Sequence, residues 1–277
     1  MLGKLLKHEF RATGRTMLPM LAVLTALVLL ANLSIRGLAG NLSDVPMLKI
    51  LFTLIIIFFG AAVVATVVMS LVIMVSRFYR NLLKDEGYLM FTLPVSVHEL
   101  IWSKLIVSLV WFLATALLIF LVMSLMALNL SHTNLEMILE QLPSWAEINH
   151  WLDETGIRGQ LVTLLIQVVL GTLIGIFAAC LHFYAAMSLG HMFSKDKVLL
   201  SIVFFVGISF AFNMMEMGYG VIGFGLFDSE MMQLEESVDT LRFVSTVIWH
   251  GIILSAVQSA VLYLATWLGL KKGLNLE

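Results

Sequence analysis

The sequence predicts an all-α protein that crosses a membrane six times. Its residues are 60% hydrophobic and 12% charged, and its mean hydropathy is +1.00. Soluble domains carry about 25% charged residues, so this chain has too little polar surface to be solvated by water alone. Six apolar blocks approach the length of about 20 residues that a helix needs to cross a bilayer core. Lysine and arginine are also unevenly distributed along the chain, as expected of a protein whose loops lie on two different sides of a membrane.

The predicted spans follow from the length of each apolar block at a rise of about 1.5 Å per residue. The fifth block reaches Asn213 after too few residues to cross, so it spans the core only if the helix continues to about 220. A glycine-rich run, GYGVIGFG at 218–225, is expected to break this helix, and such backbone must be buried against protein or line a cavity. The six spans are 17–35, 51–76, 105–130, 161–190, 198–220 and 243–270.

Basic residues predict the orientation. Twelve of the 16 lysines and arginines lie on one side of the predicted spans. The other side holds Arg36, Lys49, Arg158 and Arg242. Cytoplasmic loops are enriched in lysine and arginine, so both termini and the connection between the second and third spans are expected in the cytoplasm. Twelve of the 18 acidic residues lie on the outer side and give it a negative field.

Residues 1–16 combine basic and apolar side chains at helical spacing. This pattern predicts an amphipathic helix that lies on the inner membrane surface, rather than a cleavable signal peptide. A flexible basic tail that only sets the topology is the alternative. The basic side of this helix comprises Lys4, Lys7, His8, Arg11 and Arg15.

The outer loop, 131–160, is the longest connection between predicted spans. After Pro143, the side chains of Trp145, Ile148 and Trp151 recur on one helical face. We therefore expect a helix that rests at the outer interface with its tryptophans at headgroup level.

Motifs for catalysis or cofactor binding are missing from the sequence. No G-x-x-x-x-G-K-[S/T] loop occurs, and a formal G-x-G-x-x-G match at 218–223 lacks the strand and βαβ unit that dinucleotide binding requires. His132 with Glu136 and His150 with Asp153 form only pairs, which are too few for a zinc site. We expect no catalytic residue, no cofactor and no metal, and no binding of nucleic acid.

Small and polar side chains inside the spans are candidates for helix packing or for lining a pathway. Small residues let helix backbones approach closely, and a carboxylate within a span is a candidate functional residue. His182 is expected to form a hydrogen bond to a neighbouring helix. The candidates are Ala62, Thr66 and Ser70 on the second span, Gly171 and Gly175 on the fourth, and Asn213 and Glu216 at the end of the fifth.

The stretch RNLLKDEGYLMFTLPVS, at 80–96, places mixed charge and exposed apolar side chains between two spans without charged residues. Two helical turns are predicted over Asn81–Tyr88, with a bend at Gly87 and a stop at Pro94. Ser96 with Glu99 three residues later predicts a capping box at the start of the next helix. A short helix with exposed apolar residues is suited to docking in a groove of another protein.

The segment RFYRNLLKDEGYLMFTLPVSVHELIWSK, at 77–104, resembles the first cytoplasmic loop of bacterial ABC-exporter permease subunits of the second type. The core D-E-G-Y-L-x-F-T-L-P-V-S is the specific part, and the opening MLGKLLKHEFRATGR is similar to the amphipathic connecting helix of that family. The resemblance implies that the loop 80–94 carries a coupling helix that contacts an ATPase. Its implied contact residues are Asp85, Glu86, Gly87, Tyr88, Leu89, Phe91, Leu93 and Pro94.

The resemblance also implies an organisation for the whole protein. Residues 1–277 form one transmembrane permease domain, and short re-entrant outer helices follow a broken fifth span. Its implied partners are two copies of a separate ABC ATPase, a second permease copy (identical or related) and the lipid bilayer of the bacterial cytoplasmic membrane. The cargo, an amphipathic, lipid-like, peptide or drug molecule, passes along the first, second and fifth spans. A secondary transporter and a membrane-embedded enzyme are the alternatives.

Overall fold

The computed structural model describes residues 2–39, 45–84, 87, 90, 92, 94–130, 143–193, 195–231 and 237–272. Across these residues the protein is entirely helical, with seven α-helices and one π-helical turn. The turn, Tyr79–Leu83, directly follows the second helix. The helices are α1 (Leu2–Ala39), α2 (Pro46–Phe78), α3 (Val97–Leu130), α4 (Trp145–Thr155), α5 (Arg158–Gly190), α6 (Lys197–Met231) and α7 (Ser237–Lys272).

Six of these helices, all except α4, are long and apolar enough to cross a membrane by length and composition. Each predicted span lies within one of the six, so the prediction of six long apolar helices is confirmed. Helices are the expected solution, because a backbone in hydrocarbon finds no water and must pair its polar groups internally. These are the features of a multi-pass membrane protein.

The N-terminal segment is part of the first long helix. Helix α1 runs from Leu2 to Ala39 without interruption, so the predicted division between an interfacial helix at 1–16 and a first span is not present as a break. Pro19 lies inside α1 and lacks a backbone donor. The helix continues past Pro19 because ending it there would leave more backbone groups unpaired in an apolar environment than the one hydrogen bond that proline removes.

The prediction of a broken fifth span is wrong. Helix α6 continues from Lys197 through the glycine run to Met231, and α7 begins at Ser237. Residues 232–236, between these two helices, lie outside the described residues, and the short re-entrant helices expected before the sixth span stay a prediction. An interior glycine costs a helix about 1 kcal/mol relative to alanine. A break would leave backbone polar groups without their helical partners, and an unpaired buried group costs more than one glycine, so the continuous helix is favoured.

The second part of the outer loop forms α4, as predicted after Pro143. Its start has a complete capping box: Glu147 N donates to Ser144 Oγ at 3.3 Å, and Ser144 N donates to the Glu147 carboxylate at 2.7 Å. These hydrogen bonds lower the pKa of Glu147. Gly156 ends the helix at φ 65°, a left-handed conformation that glycine adopts without a Cβ clash. The first part of the loop, 131–142, lies outside the described residues.

The chain divides into two compact units. The first comprises residues 1–76 and 102–142, and the second comprises residues 77–101 and 143–277. The connection that resembles a coupling loop therefore belongs to the second unit, together with α4 to α7.

The first unit is held together by two apolar clusters and a polar pair. Helices α1, α2 and α3 meet in a cluster centred on Val28, Phe59 and Val122, and in another that contains Met17 and Met74. In the second cluster, the indole of Trp111 also donates a hydrogen bond to Thr13 at 2.9 Å. A buried ion pair between Glu9 and Lys104 ties the start of α1 to the start of α3.

The second unit is organised around α5, which packs against both α6 and α7. A Cβ on Gly190 would lie 2.5 Å from the backbone nitrogen of Ser201, so the ends of α5 and α6 approach too closely for any other residue. The buried amide of Gln167 joins α5 to α7 by donating to the carbonyl of Ser245 at 2.7 Å. Small residues and a buried amide thus define the seams of this unit, although the Oε1 atom of Gln167 accepts no hydrogen bond within the described part of the chain.

Candidate functional site

The connection between α2 and α3 begins with aromatic contacts to α5. Phe78 stacks on Tyr184 with ring centroids 3.9 Å apart and planes 7° from parallel, and both side chains are almost fully buried. The ring of Tyr79 meets His191 edge-on at 5.3 Å. These contacts fix the point where the connection leaves α2.

The π-helical turn continues the connection. Asn81, Leu82 and Leu83 are buried, and the backbone becomes extended at Lys84. Beyond it, Gly87 N donates to the carbonyl of Lys84 at 2.7 Å. π-helical turns are frequent at functional sites.

Gly87 lies where a larger residue does not fit. A Cβ at this position would lie 2.6 Å from the carbonyl oxygen of Leu82 and 2.9 Å from its carbon. Because the obstructing atoms belong to the backbone, they cannot move aside like the end of a side chain. The structure therefore requires glycine at 87.

The structure describes two of the eight predicted coupling residues, Gly87 and Pro94. Pro94 is exposed. Gly87 is described and buried, and its backbone is helical. The remaining residues lie outside the described part of the chain: Asp85, Glu86, Tyr88, Leu89, Phe91 and Leu93.

The end of the connection is attached to α7. The predicted capping box at the start of α3 is confirmed, with Ser96 N donating to the Glu99 carboxylate at 3.1 Å and Glu99 N donating to Ser96 Oγ at 3.2 Å. One residue into the helix, His98 Nδ1 lies 2.6 Å from the hydroxyl of Tyr263. The His98 ring also stacks on Trp267 at 5.4 Å. Both flanks of the connection are therefore fixed within the second unit.

His191 lies beneath the first flank, just after the end of α5. Burial lowers the pKa of this imidazole, and the nearby charge of Lys197 lowers it further. A hydrogen bond to the carbonyl of Met187 acts in the opposite direction and raises the pKa, but the net shift is downward. The neutral ring is thus the favoured state at the contact with Tyr79.

The small-residue stripe on α2 lies on a packed face of the first unit. Thr66 and Ser70 are buried, and each hydroxyl donates to the carbonyl four residues earlier, at 2.7 Å. Ala62 packs against the cluster that contains Phe59. Ala62 and Thr66 also line a groove of about 390 Å³ between α1 and α2, next to Pro19.

The two glycines predicted as a seam on α5 have different surroundings. A Cβ on Gly171 would be in ordinary contact with Ile252 of α7, at 3.6 Å. Gly175 is exposed, and no atom lies within 4 Å of its Cβ position. Only Gly171 therefore faces a neighbouring helix within the unit.

A row of polar groups connects α5, α6 and α7. His182 Nε2 lies 2.9 Å from the hydroxyl of Ser209, which confirms the expected hydrogen bond to a neighbouring helix. Asn213 donates to the carbonyl of Ser209 at 2.7 Å. The buried amide of Gln258 donates to the exposed carboxylate of Glu216 at 3.1 Å. Of the two predicted residues, Glu216 is thereby joined to Gln258 of α7, whereas Asn213 is bonded within α6. Gln258 was not predicted, although an amide inside an apolar block marks a candidate.

The polar residues of the outer loop are surface groups. His150 lies 3.4 Å from Glu154, and Asp153 lies 3.1 Å from Arg158, with all four side chains exposed. His132 and Glu136 lie outside the described residues. Among the residues that are described, no group of three or more histidine, cysteine or acidic side chains is placed to hold a metal ion.

The chain matches no protein-family model, no curated protein and no solved structure. Its function is therefore inferred from its own residues and from the resemblance of residues 77–104.

Proposed function

We propose that this chain is the membrane-spanning permease subunit of an ATP-driven exporter. In this proposal it lies in the bacterial cytoplasmic membrane with both termini in the cytoplasm, pairs with a second permease copy, and leaves ATP hydrolysis to a separate ATPase. Six long apolar helices and the resemblance of residues 77–104 support the proposal. The observation that carries it is the attachment of both flanks of the 80–94 connection to helices of one unit.

A connection held in this way is suited to transmitting a displacement. One flank is stacked on Tyr184 of α5, and the other is bonded to Tyr263 of α7. A displacement of the loop would therefore be transmitted to α5 and α7 through these contacts, which a flexible linker would not do. In the proposed interface, Tyr88 and Phe91 are the apolar anchors, and Asp85 and Glu86 orient the docking.

The proposed mechanism is mechanical. ATP binding closes the ATPase dimer and moves each docked 80–94 connection. The second and third spans then tilt, and the seam between the two permease copies opens for an amphipathic cargo along the first, second and fifth spans. This chain supplies no bond-breaking chemistry in that cycle.

The test is copurification with the ATPase. The tagged chain, purified in mild detergent from its native host, should carry a soluble partner with a G-x-x-x-x-G-K-[S/T] loop. Tyr88→Ala and Phe91→Ala should reduce the recovered ATPase at least severalfold without preventing membrane insertion. Glu86→Lys should do so more than the matched control Glu99→Lys, because Glu99 belongs to the cap of α3.

Site-directed crosslinking separates this proposal from a simple membrane anchor. A cysteine at Tyr88 should trap the ATPase in a functional complex. If this position reacts only with lipid probes, and Tyr88→Ala and Phe91→Ala transport at full rate, the assignment of the coupling helix is wrong.

A secondary transporter is the second candidate, favoured by the hydrogen bond between Gln258 and Glu216. A carboxylate at span depth is a typical ion-coupling group. Proteoliposomes that contain only this chain would then move cargo when a proton gradient is imposed, and Glu216→Gln would abolish the movement. Transport that requires the ATPase and ATP instead supports the exporter.

A further inference from the structure

The second unit contains an aromatic cavity of about 290 Å³ between α5, α6 and α7. The rings of Phe183, Phe205, Phe212 and His182 line it. Phe183 and Phe205 stack with centroids 4.8 Å apart, and His182 meets Phe205 edge-on at 4.7 Å. Pockets of this size, apolar with a few convergent polar groups, are the usual form of a small-molecule site.

A carboxylate lies one hydrogen bond beyond the wall of this cavity. Gln258 lines the cavity, and its amide donates to Glu216 at 3.1 Å. Within the part of the chain that the structure describes, Glu216 forms no ion pair, and the cavity lining contains no lysine or arginine. The Glu216 carboxylate can therefore serve as the counter-charge for a cation bound beside it.

The positions of the cavity and of Glu216 along α6 constrain the shape of a ligand. Ser209, which lines the cavity, lies twelve residues beyond Lys197, where α6 begins, and Glu216 lies seven residues further along. At 1.5 Å per residue these positions are about 18 Å and about 28 Å along the helix, so in a bilayer core about 30 Å thick the cavity is near the middle and the carboxylate is near the far edge. A ligand that reaches both must therefore carry its positive charge at one end of an apolar body.

We propose that this cavity binds a lipophilic organic cation: an ammonium group carried on an aromatic or aliphatic body. Phenyl rings attract such a cation through the negative potential of their faces, and Glu216 supplies the counter-charge. As a statement about cargo, this inference rests on the proposed exporter function. Binding itself requires no ATPase.

The test is equilibrium binding of radiolabelled benzyltrimethylammonium to the purified chain in neutral detergent. Unlabelled benzyltrimethylammonium should displace the label, whereas neopentylbenzene, which has the same shape without the charge, should not. We expect Glu216→Gln to weaken binding about tenfold or more, and Phe212→Leu to weaken it about fivefold. The matched controls Glu154→Gln and Phe120→Leu, at exposed positions that do not line the cavity, should bind like the unaltered chain.

Each contrary result overturns the inference in a recognisable way. Equal displacement by neopentylbenzene would make the cavity an apolar pocket without charge selectivity. Displacement by phosphatidylcholine as effective as that by benzyltrimethylammonium would identify a lipid headgroup site. If Glu216→Gln does not fold, the comparison of the charged and neutral ligands and the Phe212→Leu variant still decide the matter.

The outcome is separable from that of the exporter proposal. A chain that recovers its ATPase but does not bind the cation leaves the exporter proposal intact and removes the cation site. Charge-selective binding by a chain that recovers no ATPase partner leaves the cation site intact and removes the exporter proposal.

Discussion

The buried ion pair between Glu9 and Lys104 allows a quantitative test of how the first unit is held together. The side chains are 8% and 4% exposed, so neither charge is compensated by water. Replacing Lys104 with methionine keeps the aliphatic stem but removes the ammonium group that pairs with the buried Glu9 carboxylate. Breaking a buried pair in this way costs about 3–5 kcal/mol. At about 2–4 °C per kcal/mol, the midpoint of thermal unfolding should fall by about 6–20 °C.

Replacing both partners should cost much less. In the double variant Glu9→Leu with Lys104→Met no charge remains buried, and apolar replacements of a buried pair are often neutral or stabilising. The assay is thermal unfolding of the purified protein in detergent, followed by circular dichroism. Lys195→Met, at an exposed lysine, is the matched control and should change the midpoint little. The reasoning is refuted if Lys104→Met unfolds with the control, or if the double variant loses the sum of both single losses.

Four further predictions concern the connection, the packing, the topology and pH. On the proposed exporter function, Gly87→Ala should uncouple ATP hydrolysis from transport in proteoliposomes that contain the proposed ATPase, because a Cβ would collide with the backbone of the preceding turn. Ser70→Leu should lower the free energy of unfolding by about 1–3 kcal/mol through overpacking, measured by denaturant titration; wild-type stability would mean that this face is not packed. In a background without the native cysteine, an impermeant thiol reagent should label a cysteine at Ser96 only from the cytoplasm and one at Asp153 only from outside. Because the pKa of His191 is lowered from 6.5, protonation of its imidazole favours the unfolded chain. The stability that the neutral ring contributes at pH 7 should therefore be lost as the pH falls below 6.5. The thermal midpoint should fall less between pH 7 and pH 5 in His191→Asn than in the unaltered chain.

Features with a local physical cause were predictable from the sequence. The six apolar helices follow from the length of each block, and the cap of α3 follows from a serine and a glutamate three residues apart. The helix after Pro143 was predicted in the same way, from a periodic face and a preceding stop signal. In each case the cause and the effect lie within a few residues of one another.

The identity of a distant partner was not predictable. Lys104 was counted only as a topological charge, because nothing near it in sequence indicates that it pairs with Glu9. The contacts of His98 with Tyr263 and Trp267 likewise join segments about 165 residues apart. The continuity of α6 was mispredicted for another reason: each glycine weakens a helix by only about 1 kcal/mol, which is less than the cost of leaving backbone groups unpaired at a break.

The division of the chain into two units has a consequence for its synthesis. Phe78 is translated early, but its stacking partner Tyr184 emerges 106 residues later. At about 5–20 residues per second, the ribosome needs about 5–20 s to provide that partner. During this interval Phe78 lacks the ring on which it stacks, although the three helices of the first unit, which end at Leu130, have already been synthesised. The contact that fixes the start of the connection therefore forms only after α5 is made, and Phe78→Ala should lower the amount of folded protein recovered from membranes.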